Sequence, residues 1–226
     1  MTSTVIARSI VVVISVLQFL GLLMQLPNVK WLSLYVPLLE ACIYFAGIVV
    51  PGNGSIMLNS GVQLPLMKYC GWFVTVPVLL LQLCRLPNKF KDRSDKTSAL
   101  IVENQLMLTF GLGSSALGNS VSGCILFVIA TLIGLKLYFR VFEICKLTIL
   151  EMDHPKAYER HKFVIKFLFF IFYLSWSLFP LSQFLYSILN NINEKDDLVI
   201  HVIADLISKN MFGLVLYYYV FKLKPD

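Results

Sequence analysis

Asp205 and Lys209 lie near the middle of an apolar segment, VIADLISKNMFGLVLYYYVFK, at residues 202–222. An ionisable side chain inside a membrane-spanning helix is costly, and its default interpretation is a functional one. A desolvated lysine becomes nucleophilic and can condense with an aldehyde to a Schiff base. The spacing of four residues places Asp205 one turn away on the same helix face, where its carboxylate can neutralise the resulting cation. The alternative is an ion pair that only faces the interior of a helix bundle.

The elements that must position this pair are apolar helices. Of the 226 residues, 58% are hydrophobic and only 14% are charged, which is the composition of a membrane protein rather than of a soluble domain. About 20 apolar residues form a helix that crosses a bilayer. The chain is therefore predicted to be an all-α, seven-helix transmembrane domain over residues 1–226, with spans at 6–26, 33–50, 65–86, 98–118, 122–146, 160–190 and 198–222.

The loops predict how this bundle is oriented. Lys and Arg concentrate in cytoplasmic loops, and here the third and fifth loops carry them while the second and fourth have none. The N-terminus is therefore expected outside and the C-terminus inside. The net charge of +6 is a topology signal and does not indicate nucleic-acid binding. The basic residues are Arg85, Lys89, Lys91, Arg93 and Lys96 in the third loop, and Lys146, Lys156, Arg160 and Lys162 at the fifth.

Seven spans with Asp-x-x-x-Lys in the last helix resemble the microbial (type 1) rhodopsins. Two further segments carry the resemblance: KYCGWFVTVPVLLLQL (68–83) is similar to the third helix of bacteriorhodopsin, and WSLFPLSQF (176–184) is similar to its sixth. The resemblance covers essentially the whole chain. It implies that Lys209 binds all-trans retinal as a Schiff base and that Asp205 is the counterion.

The same resemblance implies a pocket for the polyene of retinal. Trp72 and Trp176 would lie on either side of it. Each aromatic residue taken alone is also compatible with ordinary helix packing, but together with the lysine they indicate a binding pocket. The other residues expected at the pocket are Gly71, Thr75, Phe179 and Pro180.

The positions that carry protons in a light-driven pump of this family are not acidic in this chain. By the resemblance, the proton acceptor of the third helix is replaced by Gly71 and the proton donor by Gln82. Neither residue can carry a proton in the required way. In the fourth helix, the pocket position that is Asp in bacteriorhodopsin aligns with Gly113. An outward proton pump is therefore not expected.

The surroundings of the counterion also depart from the family pattern. Lys68 stands where the family usually has Arg, so the charge is kept but the planar fork is lost. Tyr44 resembles the tyrosine that supports the aspartate, whereas Phe179 stands where bacteriorhodopsin has a second tyrosine. Asp205 is thus expected to lack one hydrogen-bond donor, and its charge is expected to be less secure.

Glu40 lies inside the otherwise apolar second span. Aligned on Tyr44, it occupies the position of the glutamate in the central gate of channelrhodopsins, which pair it with an asparagine directly after the retinal lysine. That asparagine is Asn210 here, and Ser15 or Gln18 of the first helix is the candidate third member. We expect Glu40 to lie away from the Schiff base. A neutral buried carboxyl or an oligomer contact is the alternative.

The charges of a pore indicate which ions it selects. Glu40 is the only acid in the first three predicted spans, whereas Lys68 and Lys136 are basic, although Lys136 is also placed to reach the cytoplasmic headgroups. Asp197 and His201 either line an extracellular vestibule or cap the last helix.

These features favour a light-gated channel for anions such as chloride, and not an enzyme. A photosensor without conductance and a cation channel of the kind found among short viral rhodopsins are the alternatives. A multi-pass location in the lipid bilayer, with the plasma membrane favoured, and a homo-oligomer are expected.

Overall fold

The computed structural model describes residues 3–24, 31–50, 54–58, 63–64, 66–87, 94–151 and 158–219. Seven helices follow one another in these ranges, so the predicted all-α bundle is confirmed. The basic residues Lys89, Lys91, Arg93 and Lys156 lie outside the described residues. The helices are α1 (Ser3–Leu23), α2 (Trp31–Val49), α3 (Leu66–Cys84), α4 (Ser94–Leu117), α5 (Val121–Leu150), α6 (Tyr158–Gln183, continued by a π-helical end, Phe184–Ile188) and α7 (Glu194–Tyr218).

A short hairpin lies between α2 and α3. Its strands, β1 (Ile56–Met57) and β2 (Gln63–Leu64), pair antiparallel. We call this end of the bundle the outer end, because the loop charges predict it to be extracellular, and the opposite end the inner end.

Five of the described helices are long and apolar enough to cross a membrane, namely α1, α3, α5, α6 and α7. The apolar part of α2, Ser33–Val49, is shorter than such a span. Helix α4 is not among the five, because acidic, basic and amide side chains interrupt its apolar sequence. The expectation of seven spans is therefore met by seven helices, of which five qualify by length and composition.

The helices pack in sequence order and the bundle closes on itself. Each helix contacts the next one along the chain, and α7 contacts α1 as well as α6. Large apolar side chains such as Leu80, Leu137 and Leu168 are fully buried between α3, α5 and α6. The outward faces are also apolar, with exposed residues such as Leu17 and Phe170. A bundle that is apolar on both sides suits a lipid surrounding.

Helix α7 carries one buried polar face through the bundle. Asp197, His201, Asp205 and Lys209 recur at intervals of four residues and are all buried. The last of them lies in a π-helical segment, Leu206–Met211, that interrupts α7. Such π-helical segments often occur at functional sites. The helix therefore presents its ionisable side chains as a single column toward the neighbouring helices.

Candidate functional site

Lys209 and Asp205 form a buried ion pair. The Nζ atom of Lys209 lies 2.7 Å from Oδ1 of Asp205, and each side chain is only 4% exposed. The Tyr44 hydroxyl donates to Oδ2 of Asp205 at 2.6 Å, and the Trp72 indole donates to Oδ1 at 3.3 Å. A buried ion pair is tolerated when such additional hydrogen bonds satisfy its polar atoms. The sequence predicted that Tyr44 supports Asp205 but did not predict that Trp72 is a donor to it. The Trp72 indole takes the place of the second tyrosine hydroxyl, which is missing because Phe179 stands at that position.

Glu40 supplies a second carboxyl group beside Lys209. Its Oε1 atom lies 3.8 Å from Nζ of Lys209, and the residue is 1% exposed. The expectation that Glu40 lies away from this lysine was therefore wrong. The reason is the close approach of α2 and α3: a Cβ atom on Gly71 would lie only 2.9 Å from Cδ1 of Ile43, which is one turn after Glu40. With no side chain at Gly71, α2 brings its own carboxyl group to the lysine.

Asn210 contacts α1 and not Glu40. Its Nδ2 atom donates to Oε1 of Gln18 at 2.7 Å and to Oγ of Ser15 at 3.0 Å. The Gln18 amide in turn donates to the backbone carbonyl of Asn210 at 3.3 Å. Both α1 candidates are thus partners of Asn210. The predicted pairing with Glu40 was wrong, since neither carboxylate oxygen of Glu40 has a hydrogen-bond partner among the described residues.

A second polar group lies toward the outer end. The Nζ atom of Lys68 is 3.4 Å from Oδ2 of Asp197 and 3.0 Å from Nε2 of His201. Because an ammonium group only donates, Nε2 accepts and Nδ1 of His201 carries the hydrogen, which it donates to the Asp197 carbonyl at 2.7 Å. Ser182 donates to Oδ1 of Asp197 at 2.6 Å. Asn193 caps α7, so the cap alternative for Asp197 and His201 was wrong.

An apolar cavity of about 240 Å³ adjoins Lys209 and is lined by residues of α3 to α7. It is lined by four of the six residues predicted for the retinal pocket, namely Trp72, Trp176, Phe179 and Pro180. The other two predicted residues do not line it. Thr75 is fully buried with its hydroxyl donating to the Gly71 carbonyl at 2.8 Å, and Gly71 itself lines a different cavity.

Helix α4 contributes Asn104 to the apolar cavity, together with Met107, Leu108 and Gly111. The alignment of Gly113 with the pocket position that is Asp in bacteriorhodopsin was wrong. Gly113 does not line the cavity, and a Cβ atom there would lie 3.0 Å from Cδ1 of Leu126. Asn104 is fully buried, and its amide has no hydrogen-bond partner in the described part of the chain. The spacing of three, four and seven residues along α4 was the signal that could have found it.

A polar cavity of about 390 Å³ lies on the other side of Lys209 and reaches residues at the outer end of α7. Asp205 and Lys209 line it at one end, and Glu194 and Lys195 line it at the other. Arg8 also lines this cavity, and its guanidinium donates to the Gly47 carbonyl. Lys209 therefore stands between an apolar cavity and a polar one.

Lys136 lies outside this site. Its side chain is 60% exposed on the bundle surface, and its Nζ atom is 2.7 Å from Oε1 of Glu103. Arg140 binds the same carboxylate oxygen at 3.0 Å. Lys136 is thus part of a surface ion-pair group and contributes no charge to either cavity.

Comparison with solved structures gives the same architecture. The red light-activated channelrhodopsin Chrimson has a TM-score of 0.84 at 19% identity, over 97% of this chain and 78% of that chain. The thermophilic rhodopsin from Rubrobacter xylanophilus has a TM-score of 0.83 at 21% identity, over 96% and 95%. The light-driven proton pump LR (Mac) from Leptosphaeria maculans has a TM-score of 0.79 at 16% identity, over 96% and 94%. Likeness at these identities shows the fold alone. A search of curated proteins finds no match.

A seven-helix bundle around a buried lysine and aspartate defines the class, a multi-pass membrane protein with the microbial rhodopsin fold. The chain belongs to the bacteriorhodopsin-like family, whose model matches residues 1–223. This family binds retinal. The residues present fit that group, since Lys209 offers a buried primary amine at the wall of an apolar, aromatic-lined cavity and Asp205 offers a carboxylate beside it.

Proposed function

We propose that this protein is a retinal-binding, light-gated ion channel that favours anions. The observation that carries the proposal is the position of Lys209 between the apolar cavity and the polar cavity. Because Lys209 belongs to the walls of both cavities, a displacement of its side chain that begins in the apolar cavity also changes the wall of the polar cavity. The red light-activated channelrhodopsin Chrimson shares this fold, so the fold can accommodate a channel.

The proposed roles near Lys209 follow from the contacts. Its Nζ atom would form a C=N bond with the aldehyde carbon of all-trans retinal, and the aldehyde oxygen would leave as water. Retinal supplies the absorption of visible light and a photoisomerisation. Asp205 neutralises the cation at Nζ, and Tyr44 and Trp72 hold its carboxylate in place. Trp72 and Trp176 confine the apolar cavity, so that movement is directed toward Lys209.

The proposed gate is the contact of Asn210 with Ser15 and Gln18. Polar groups that meet at a constriction and separate on a conformational change are the elements of a gate. Because Asn210 directly follows Lys209 in a π-helical segment, a displacement of the lysine acts on this contact. Gly71 and Gln82 leave the two pump positions themselves without a carboxylate.

The preference for anions rests on the gate rather than on the polar cavity. The gate consists of the amide and hydroxyl groups of Asn210, Gln18 and Ser15 and contains no acid, so no fixed negative charge there attracts a cation or repels an anion. The polar cavity is balanced, with four basic and four acidic lining residues among those described. They are Arg8, Lys68, Lys195 and Lys209, and Glu40, Glu194, Asp197 and Asp205.

We expect Lys209→Ala to abolish the visible or near-ultraviolet absorption band that forms when the protein is reconstituted with all-trans retinal. Lys209 is the amine buried at the apolar cavity, and alanine offers no nitrogen to the aldehyde. The matched control is Lys136→Ala, which removes a surface lysine and should leave the band intact. A band retained by Lys209→Ala would overturn the assignment of the cofactor site.

We expect Glu40→Gln to move the absorption maximum to longer wavelength. Glu40 lies 3.8 Å from Nζ of Lys209, so the loss of the negative charge of an ionised Glu40 would weaken the electrostatic stabilisation of the cation in the ground state. The spectrum of Glu103→Gln, in which a largely buried carboxylate that lines neither cavity is lost, serves as the control and should not change. An unmoved maximum in Glu40→Gln would contradict an ionised Glu40 at this site.

We expect patch-clamp recording under illumination to show a passive current whose reversal potential follows the chloride gradient. Lys209→Ala should show no photocurrent, because light then has no site of action. A reversal potential that follows sodium or protons would keep the channel but refute the anion preference. Absence of current at every voltage, with a normal photocycle, would instead support a photosensor.

We expect Gly213→Ala to slow the decay of the current after illumination, by about fivefold if one hydrogen bond of about 1 kcal/mol is lost. A Cβ atom on Gly213 would lie 2.9 Å from Nε2 of Gln18. This atom is the end of a flexible side chain, so the Gln18 amide shifts away from Asn210 while the helices stay in place.

Two comparisons separate this effect from a general disturbance of α7. Gly21→Ala adds the same methyl group where nothing lies within 4 Å and should leave the decay unchanged. In a Gln18→Ala background, Gly213→Ala should have no further effect, because the residue through which it acts is gone. Equal effects of Gly213→Ala in both backgrounds would rule out Gln18 as the intermediary.

A further inference from the structure

We propose that the apolar cavity takes up its ligand from the bilayer, through the wall between α5 and α6. Leu135 of α5 lines the cavity and is also 48% exposed on the outside of the bundle. Ser177 of α6 likewise lines the cavity and is exposed. Residues that face both a cavity and the outside mark a wall that is one side chain thick. This inference rests on the proposed function in one respect, that the ligand is retinal.

The composition of this wall suits an apolar ligand that arrives from lipid. Thr131, Gly134 and Leu135 of α5 all line the cavity, and none of them is charged. A long apolar aldehyde partitions into hydrocarbon rather than water. Within the described part of the chain, the other approach to Lys209 is the polar cavity, where the ligand would have to pass Lys68, Asp197 and Asp205. Moving an apolar chain past paired charges would disrupt their contacts.

Among the described residues, two hydrogen bonds join α5 and α6 at this wall: the Tyr173 hydroxyl donates to the Tyr138 carbonyl at 3.0 Å, and the Tyr138 hydroxyl contacts that of Ser177. The Ser177 hydroxyl donates to the Tyr173 carbonyl at 2.8 Å, so in its 3.2 Å contact with Tyr138 the tyrosine hydroxyl is the donor. Tyr138 belongs to α5 and lines the cavity, so this bond joins the two helices across the wall. A neutral hydrogen bond of this kind contributes about 1 kcal/mol. Its loss removes one of the contacts that hold the Tyr138 ring in place, beside the edge contacts of this ring with Phe172 and Tyr173.

The test uses protein without retinal in lipid vesicles, to which all-trans retinal is added while the growth of the absorption band is followed. Leu135→Trp fills the wall and should slow the growth about tenfold, the equivalent of about 1.4 kcal/mol in the barrier. The matched control is Leu132→Trp, on the same helix and 61% exposed, at a residue that does not line the cavity. Its rate should equal that of the unmodified protein.

A second variant acts in the opposite direction and covers the case in which Leu135→Trp forms no band. Ser177→Ala removes the acceptor of the Tyr138 hydroxyl and should speed band growth about fivefold. Its control is Thr109→Val, which removes another exposed hydroxyl that donates to a carbonyl four residues earlier. The proposal is overturned if Ser177→Ala matches its control and Leu135→Trp either matches Leu132→Trp or forms no band.

Failure of the underlying function looks different from failure of this route. If the unmodified protein forms no band, retinal binding itself is refuted, and the comparison of rates does not arise. If the unmodified protein forms a band and all variants form it at the same rate, retinal binding stands and the ligand enters elsewhere.

Discussion

The ion pair between Lys209 and Asp205 is the interaction on which the rest of the site depends. A buried charge is stable only when it is paired and its remaining polar atoms are hydrogen-bonded. Asp205 therefore requires a hydroxyl from α2 and an indole N–H from α3, supplied by Tyr44 and Trp72. These requirements hold three helices in register around one carboxylate. Trp72 also has a second role, because the indole whose N–H donates to Asp205 forms part of the wall of the apolar cavity.

The column of ionisable residues on α7 divides the bundle into two unlike halves. On the side of α1 to α3, polar residues such as Arg8, Glu40 and Lys68 meet the column and line a polar cavity. On the other side, apolar and aromatic residues of α3 to α6 enclose the apolar cavity, so that α3 borders both cavities. Lys209 is at the boundary because it lies on the column and its long apolar stem ends at a charged atom. The division follows from the spacing along a single helix.

The seven helices and the Lys209–Asp205 pair could be predicted from the sequence, because hydropathy and the cost of buried charge are local properties. The aromatic pocket residues could be placed because WSLFPLSQF and the segment around Trp72 keep recognisable spacing. The location of Glu40 could not, since it depends on how closely α2 approaches α3 where Gly71 lacks a side chain. Asn104 was missed because α4 offers no tryptophan or proline to fix its alignment.

Two consecutive residues of α7 contact two different neighbouring helices. This arrangement explains how one displacement of α7 affects both α1 and α2. Lys209 faces Glu40 of α2 at 3.8 Å, and Asn210 bonds to Ser15 and Gln18 of α1. Successive residues on a helix point about 100° apart, so one turn of backbone reaches both partners. Glu40 has no hydrogen bond of its own among the described residues, so its contact with Lys209 at 3.8 Å is electrostatic. A movement of this segment therefore changes an electrostatic contact on α2 and a hydrogen-bonded contact on α1 together.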